Sequence, residues 1–209
     1  PFPADHDDND GRADGSKVFV QDKDQMHAAH MKAVQFYDDG IKLARPPGER
    51  VEIPFEGKSI KGILRGKGPV LIMAPGLDST KEEIHAYEEP FLARGFAVLA
   101  IDGPGQGEAE YDIPICGDYE RAAKAVCDWI ATRKDLSKEI AIWGVSLGGY
   151  YAPRAAAYEK RIKACISLSG PFEWEKIWDD LPELTRETFR VRAHCSSQID
   201  AKKHAATLS

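Results

Sequence analysis

The stretch that decides the fold is IAIWGVSLGGYYAP, residues 140–153. Apolar residues run into Gly144, Ser146 follows two positions later, and a helix-like run begins directly after it. The motif Gly-x-Ser-x-Gly between a strand and a helix is typical of a nucleophile elbow, a sharp turn that exposes a serine hydroxyl at the edge of a sheet. We therefore predict Ser146 as a catalytic nucleophile.

Two glycines and two backbone amides complete the predicted site. Gly144 and Gly148 flank the serine because side chains there would clash with neighbouring strands. An acyl-transfer serine also needs donors for the oxyanion that forms during attack. We predict the N–H of Leu147, directly after the serine, as one donor. The second is the N–H of Leu77, which Gly76 allows to approach; the alternative is that Leu77 only packs in the core.

Apolar runs and an alternating segment elsewhere in the chain predict a layered fold. Continuous apolar runs indicate buried strands near 69–74, 97–101, 140–143 and 164–168. Alternation on both sides of Gly57 indicates an antiparallel hairpin over 51–65 at one edge. Helical periodicity covers 22–44, a stretch ending near 94, 118–133 and 146–158. Alternating strands and helices predict an α/β fold of three layers, αβα, with a mostly parallel sheet.

The composition is that of an ordinary globular domain and excludes several partners. The 209 residues carry a formal net charge of −6, which does not favour binding to nucleic acid. No apolar run approaches the roughly 18 residues of a membrane span, and we expect no secretory signal. The four cysteines form no C-x-x-C pair, which indicates reduced thiols in a cytoplasmic protein.

Three patterns resemble ligand sites, and each fails on its residue types or spacing. Aligning the acidic N-terminus to a calcium loop places His6 and Lys17 at two of the strongest ligand positions. His27 and His30 form H-x-x-H without a carboxylate ligand pattern, which favours surface or interface histidines. DGPGQGE, 102–108, is not G-x-G-x-x-G and follows the second buried strand. We predict no metal and no organic cofactor.

Five blocks together carry a family resemblance: MAPGLDSTKEE, DGPGQGE, GDYERAAKAV, GVSLGGYYA and RIKACISLSG. They resemble the α/β-hydrolase superfamily and, within it, the 2,6-dihydroxypseudooxynicotine hydrolase-like branch of carbon–carbon bond hydrolases. The resemblance implies a core with an N-terminal helical domain and cap helices after the sixth core strand. It also implies Ser146 as nucleophile, with Leu77 and Leu147 as oxyanion donors.

The resemblance also implies a domain organisation. We expect a disordered acidic arm at 1–17, a short N-terminal helical segment at 18–49, an α/β-hydrolase core at 50–172 and truncated cap helices at 173–209. A cap stripe is expected from Leu181, Leu184, Thr188, Val191 and Cys195, and Ser197 with Asp200 is expected to cap a second helix.

The catalytic acid and base are not identified in this chain. In the family the acid follows the seventh strand and the histidine lies beyond the eighth, so we expect both, with the C-terminal core strands, to be missing here. Asp200 and His204 stand four apart on a predicted helix, but an exposed helix face is the favoured interpretation.

The expected function is hydrolysis of a small carbonyl compound, at a carbon–carbon bond or an ester, with no nucleic acid or membrane partner. The alternative is a non-catalytic relative that binds a small molecule or a protein, and a homo-oligomer is left open.

Overall fold

A computed structural model describes residues 23–209, so the predicted acidic arm and its calcium-loop pattern lie outside the described residues. The strands are β1 (Gly48–Phe55), β2 (Lys58–Gly66), β3 (Val70–Ala74), β4 (Ala97–Asp102), β5 (Ile140–Val145) and β6 (Ile162–Leu168). The helices are α1 (Lys23–Ile41), α2 (His85–Leu92), α3 (Glu120–Thr132), α4 (Leu147–Tyr158), α5 (Trp174–Ile177), α6 (Glu183–Arg192) and α7 (Gln198–Ala205). Short 3-10 helices span Gly107–Tyr111 and Trp178–Asp180.

The six strands form one sheet in the order β1-β2-β4-β3-β5-β6. β2 is antiparallel to β1 and β4, whereas β3 is parallel to β4 and β5, and β5 is parallel to β6. Every residue of β3 and β4 is buried, which is what their continuous apolar runs predict for central strands. The α/β fold, with its mostly parallel sheet and its hairpin at one edge, is confirmed.

Helices cover both faces of the sheet and produce the predicted three layers. Leu71 and Met73 of β3 belong to a smaller apolar cluster with Ile84, beneath α2. Val70 and Ile72, at the alternate positions, join a larger cluster that includes the buried faces of α3 and α4 and the aromatic residues after β6. Successive strand residues point to opposite faces, so β3 contributes side chains to the apolar cluster on each face of the sheet.

The prediction that β6 is buried is wrong. The strand forms and pairs with β5, but only Ile162 is buried and the other six residues are exposed. β6 is the last strand in the sheet order, so a single strand lies beside it. Its apolar residues, including Ile166 at 41% and Leu168 at 43% exposure, lack cover from the described residues.

The predicted stripe of the cap helix α6 is also partly wrong. Leu184 is 57% exposed, whereas Phe189 is fully buried and packs against Trp174 and Trp178. The helix is rotated so that Thr188, Phe189 and Arg192 face inward, because the aromatic pair after β6 offers the larger apolar surface. The predicted cap of the next helix is confirmed, since the Ser197 hydroxyl accepts a hydrogen bond from the N–H of Asp200.

The N-terminal helix α1 is 19 residues long and ends at Ile41 rather than near 44. Gly40 and the two prolines that follow Arg45 disfavour continuation. Among residues 23–209, no helix combines the length and the apolar character that crossing a bilayer would need.

Candidate active site

The carboxyl ends of β3 and β5 bring two predicted segments together. The strands are parallel neighbours, and Ala74 pairs with Gly144. A Cβ placed on Gly76 would lie 3.3 Å from the Cβ of Ser146 and 3.9 Å from its Oγ. The segment 75–77, here called the β3 loop, therefore passes directly beside Ser146 at the edge where open parallel sheets bind ligands.

Ser146 occupies a strained backbone conformation. Its φ is 53° and its ψ is −117°, a region that costs a non-glycine residue about 1–3 kcal/mol. Its N–H donates to the carbonyl of Leu168 in β6 at 2.9 Å, and its carbonyl accepts from the N–H of Tyr150 at 3.2 Å. The turn is thus held by the sheet on one side and by α4 on the other, with a partly exposed serine between them. This geometry fits a nucleophile elbow; the nucleophilic role of Ser146 stays a prediction.

The two flanking glycines are required by backbone packing. A Cβ on Gly144 would lie 1.9 Å from the carbonyl oxygen of Gly148. A Cβ on Gly148 would lie 2.1 Å from the carbonyl oxygen of Ala74. Both obstacles are backbone atoms, so no side-chain rotation relieves the overlap, and only glycine lets α4 begin this close to β3.

The two candidate oxyanion donors lie on either side of Ser146. Leu147 begins α4, and an N–H in the first turn of a helix has no carbonyl partner within that helix. Leu77 follows Gly76 in the β3 loop; its side chain is 3% exposed and packs in the larger cluster. The side chain of Leu77 therefore packs, as the alternative supposed, while its N–H remains a candidate donor.

Two buried polar side chains anchor the β3 loop. Nε2 of Gln106 donates to the carbonyl of Pro75, and Nη1 of Arg192 donates to the carbonyl of Leu77. Gln106 is fully buried, and Arg192 is 8% exposed. The loop is consequently fixed at both ends, from the segment after β4 and from α6, which lies in the predicted cap.

Arg192 is held in turn by a buried carboxyl. Its Nη2 lies 2.9 Å from Oε2 of Glu110, a charge contact without the alignment of a good hydrogen bond. Burial raises the pKa of Glu110 to about 7, and the nearby guanidinium only partly opposes that rise. Glu110 therefore titrates near neutral pH beside the anchor of the β3 loop.

A second polar group, here called the Lys81 cluster, follows the β3 loop. Nζ of Lys81 lies 2.5 Å from Glu82, 2.8 Å from Asp102 and 2.7 Å from Glu108, measured to carboxylate oxygens. Lys81 and Asp102 are fully buried, and Asp102 also accepts the N–H of Lys81 at 2.7 Å. Burial opposes the charged form of Lys81, but the three carboxylates outweigh it, so the pKa of the ammonium lies above its usual value.

The same carboxylates are the one group within residues 23–209 that has the spacing of a metal site, with ligand oxygens within 4.8 Å of one another. The ammonium of Lys81 contacts all three and occupies the place that a cation would take. DGPGQGE supplies Asp102 and Glu108, and both carboxylates bind Lys81, so this loop contributes anionic groups that pair with a cation and would repel a phosphate.

Asp200 and His204 do not form a pair. The Asp200 carboxylate accepts hydrogen bonds from the hydroxyls of Ser196 and Ser197, and Nε2 of His204 lies 2.7 Å from the carbonyl of Ile115. His30 bonds to the hydroxyl of Tyr111 rather than to a metal-ligand set. Within the described part of the chain, no histidine hydrogen-bonds to Ser146.

Sequence reasoning missed the residues that hold the β3 loop, although some signals were present. Asp102 ends an otherwise apolar strand, AVLAID, and a carboxylate at that position indicates a buried polar contact at the sheet edge. Arg192 shares a helix face with Phe189, three positions earlier in α6. Gln106 and Glu110 carry no such signal, because they lie in a loop and a single 3-10 turn.

Known proteins with similar sequences are hydrolases. The chain is 35% identical over 192 residues to 2,6-dihydropseudooxynicotine hydrolase of Paenarthrobacter nicotinovorans, covering 89% of this chain and 52% of that protein. It is 39% identical over 178 residues to the 20-hydroxy-prefusarin hydrolase of Gibberella moniliformis, covering 76% of this chain and 40% of the relative. This chain thus spans about half the length or less of these relatives.

A solved structure shares the fold. The crystal structure of 2,6-dihydroxy-pseudo-oxynicotine hydrolase superposes with a TM-score of 0.83 at 34% identity, covering 89% of this chain and 54% of the other. The family model described as X-Pro dipeptidyl-peptidase (S15 family) matches residues 20–189, which include the β3 loop, the turn at Ser146 and most of α6. The chain therefore belongs to the X-Pro dipeptidyl-peptidase (S15) family of α/β-hydrolases.

Proposed function

We propose that the protein carrying this chain is a serine hydrolase that cleaves a small carbonyl compound. The observation that carries this proposal is the backbone of Ser146, held at a positive φ at the carboxyl edge of the sheet. Such strain persists where surrounding structure imposes it, and it clusters at functional sites. A protein that only bound a ligand at this edge would gain nothing from a strained serine.

The chemistry follows from the neighbours of the serine. Oγ of Ser146 attacks the carbonyl carbon while its proton passes to a general base. The carbonyl oxygen becomes an oxyanion that the N–H groups of Leu77 and Leu147 stabilise. Collapse of this intermediate breaks the bond to the leaving group, and the protonated base gives the proton back to it, which yields an alcohol from an ester or a C–H bond from a carbon–carbon bond. Water then hydrolyses the acyl-serine, and these steps use no cofactor.

The acid and base remain unassigned among the described residues, and the family order Ser, Asp, His puts both after the cap. The relatives are about twice as long as this chain, which is consistent with that order. We accordingly propose that the base comes from sequence corresponding to the part of the relatives that this chain does not span.

The substrate class is proposed from the relatives. Similarity to a 2,6-dihydropseudooxynicotine hydrolase favours carbon–carbon bond hydrolysis of a ketone, with ester hydrolysis as the alternative, because the elbow serves both. A non-catalytic, ligand-binding role stays the competing hypothesis, since Ser146 has no described base partner. A cytoplasmic location and a homo-oligomer remain predictions.

The proposal is tested by Ser146→Ala in the protein that carries this chain. We expect turnover to fall about 10⁴-fold or more, since the other described groups lack the setting of a covalent nucleophile. A panel of an aryl ester, a β-diketone and an X-Pro anilide would identify the bond that is cleaved. Stoichiometric labelling by a fluorophosphonate probe should vanish in the variant.

The matched control is Ser137→Ala, a serine in the α3–β5 connection that accepts a backbone N–H at 3.1 Å. This variant should keep full activity and labelling. Unchanged turnover in Ser146→Ala would reject covalent catalysis by this serine. A wild-type protein that neither turns over the panel nor reacts with the probe would favour the binding role.

A further inference from the structure

One residue of the cap helix contacts three separate core segments. The guanidinium of Arg192 donates to the carbonyl of Leu77 in the β3 loop and contacts Glu110 in the 3-10 helix at 2.9 Å. The backbone carbonyl of Arg192 accepts the N–H of Ile115 at 3.0 Å. The C-terminal turn of α6 is therefore joined to the core at the point where the β3 loop passes Ser146.

The contact with Leu77 controls a particular peptide group. Fixing the carbonyl of Pro75 fixes the peptide before Gly76, and fixing the carbonyl of Leu77 fixes the peptide that follows Leu77. The Gly76–Leu77 peptide, which carries the candidate donor N–H, lies between these two anchors. Its own carbonyl, that of Gly76, accepts only a long hydrogen bond from the N–H of Ser79 at 3.4 Å, and glycine has the widest backbone freedom, so the two flanking anchors limit how far this peptide turns.

We propose that Arg192 is a positioning residue: by holding the Leu77 carbonyl, it directs the Leu77 N–H toward the developing oxyanion. The geometry of the oxyanion hole then depends on the position of the cap helix α6. This inference rests on the proposed function, because it assumes that Leu77 is an oxyanion donor. A donor aimed at the oxyanion acts mainly on the transition state and little on substrate binding.

A matched residue on the same helix separates positioning from helix stability. Arg190 stands two positions before Arg192, contacts Glu187 at 2.6 Å and donates to the carbonyl of Cys195 at 2.8 Å. Both partners belong to the cap segment, so Arg190 contributes to α6 without touching the β3 loop. Arg190→Ala is therefore the control for Arg192→Ala.

A cavity beside Arg192 allows a further readout. It has a volume of about 290 Å³ and is lined in part by Glu110, Tyr111, Arg192 and His194. Truncation of Arg192 to alanine would enlarge this space toward the carbonyl of Leu77. Free guanidinium could then occupy the vacated position between Glu110 and that carbonyl, which a purely structural role would not predict.

The experiment compares Arg192→Ala, Arg190→Ala and Ser146→Ala in the protein that carries this chain, with the best substrate of the panel. We expect kcat of Arg192→Ala to fall about 10- to 100-fold with little change in KM, since loss of a whole oxyanion donor costs about 10²- to 10³-fold. Millimolar guanidinium chloride, far below denaturing concentrations, should restore part of kcat. Arg190→Ala should keep kcat within about twofold of wild type.

An unchanged kcat in Arg192→Ala overturns the proposal. A fall that Arg190→Ala shares, or one that guanidinium leaves untouched, also overturns it. If Arg192→Ala does not fold, Arg192→Lys gives the same test, because one ammonium cannot reproduce the two-sided contact with Leu77 and Glu110. Full activity of Ser146→Ala would instead reject the proposed function itself, whatever the Arg192 variants show.

Discussion

The turn at Ser146 and the Lys81 cluster both lie at the carboxyl edge of the parallel strands, and different forces hold them. Around Ser146 the determining contacts are between backbone atoms, with Gly144 and Gly148 where a Cβ would meet a carbonyl oxygen at about 2 Å. Around Lys81, a fully buried ammonium holds three carboxylates at 2.5–2.8 Å. One region depends on the absence of side chains, and the other on contacts between opposite charges.

The difference determines how each region should respond to substitution. At the elbow, backbone atoms leave no room for a Cβ, so even alanine should destabilise the turn. The Lys81 cluster places three carboxylates around one ammonium, and the guanidinium of Arg50 lies 2.7 Å from Glu108, so removal of the ammonium should leave negative charge without compensation. The two regions are also close along the chain, because Lys81 stands four residues after Leu77 of the β3 loop.

The largest expected effect is on the Lys81 cluster. Lys81→Met removes the ammonium that Glu82, Asp102 and Glu108 share, and leaves three carboxylates close together with Asp102 fully buried. The free energy of unfolding should fall by about 3–5 kcal/mol, which is typical of a buried pair that loses one partner. Chemical denaturation of the protein that carries this chain measures this change.

The control for Lys81→Met is Lys124→Met, which breaks an exposed pair with Asp128 at 2.7 Å and four residues away on α3. Its cost should stay near 0.3–0.5 kcal/mol, as for other exposed helix pairs. If both lysine variants lost similar amounts of stability, burial would not make the contacts of Lys81 more important for stability than an exposed ion pair.

The next effect concerns a buried charge with a single partner. The pKa of Glu110 is about 7 in the folded protein and about 4.5 for a free carboxyl, because burial favours the neutral form. The folded state therefore binds more protons at Glu110 than the unfolded state between those values, so the contribution of Glu110 to stability is greatest below pH 4.5 and falls as pH rises toward 7. The loss should be about 3 kcal/mol, since one pKa unit corresponds to about 1.4 kcal/mol.

Glu110→Gln should flatten this part of the profile of unfolding free energy against pH, because the amide does not titrate. Wild type and variant are compared at several pH values between 4.5 and 7 under otherwise equal conditions. Parallel profiles would show that Glu110 titrates near its usual pKa, and that a single guanidinium is sufficient to hold a buried carboxylate.

The smallest effect on stability is expected at the elbow. Gly148→Ala brings a Cβ into the carbonyl of Ala74, and the backbone must move to admit it. Overpacking of this kind costs about 1–3 kcal/mol, and because the movement shifts the turn at Ser146, turnover should fall as well. Unfolding free energy and kcat are measured together.

Gly40→Ala in α1 is the matched control, since a Cβ built there has no atom within 4 Å apart from its chain neighbours and the backbone of its own helix. It should leave turnover unchanged and stabilise the helix by up to about 1 kcal/mol. An elbow that accepts Gly148→Ala as readily as α1 accepts Gly40→Ala would contradict the steric account of the turn.

Features that depend on neighbours along the chain could be predicted from the sequence. The buried strands follow from continuous apolar runs, the hairpin from alternation about Gly57, and the turn at Ser146 from glycines two positions away on each side. The helix cap at Ser197 is local in the same way, because its partner is the N–H three residues later. In each case one segment holds all the information.

Tertiary structure alone decided the contacts between distant segments. Lys81 and Asp102 are 21 residues apart, and Leu77 and Arg192 are 115 apart. The rotation of α6 that buries Phe189 and exposes Leu184, and the exposure of β6, likewise depend on which surfaces meet. A periodic pattern indicates that one face of a helix or strand is apolar. It does not indicate which segment packs on that face, or which charged side chain is buried beside it. Those outcomes follow from the packing of the whole chain, because the free energy of burying a charge is set by the partners that packing places around it.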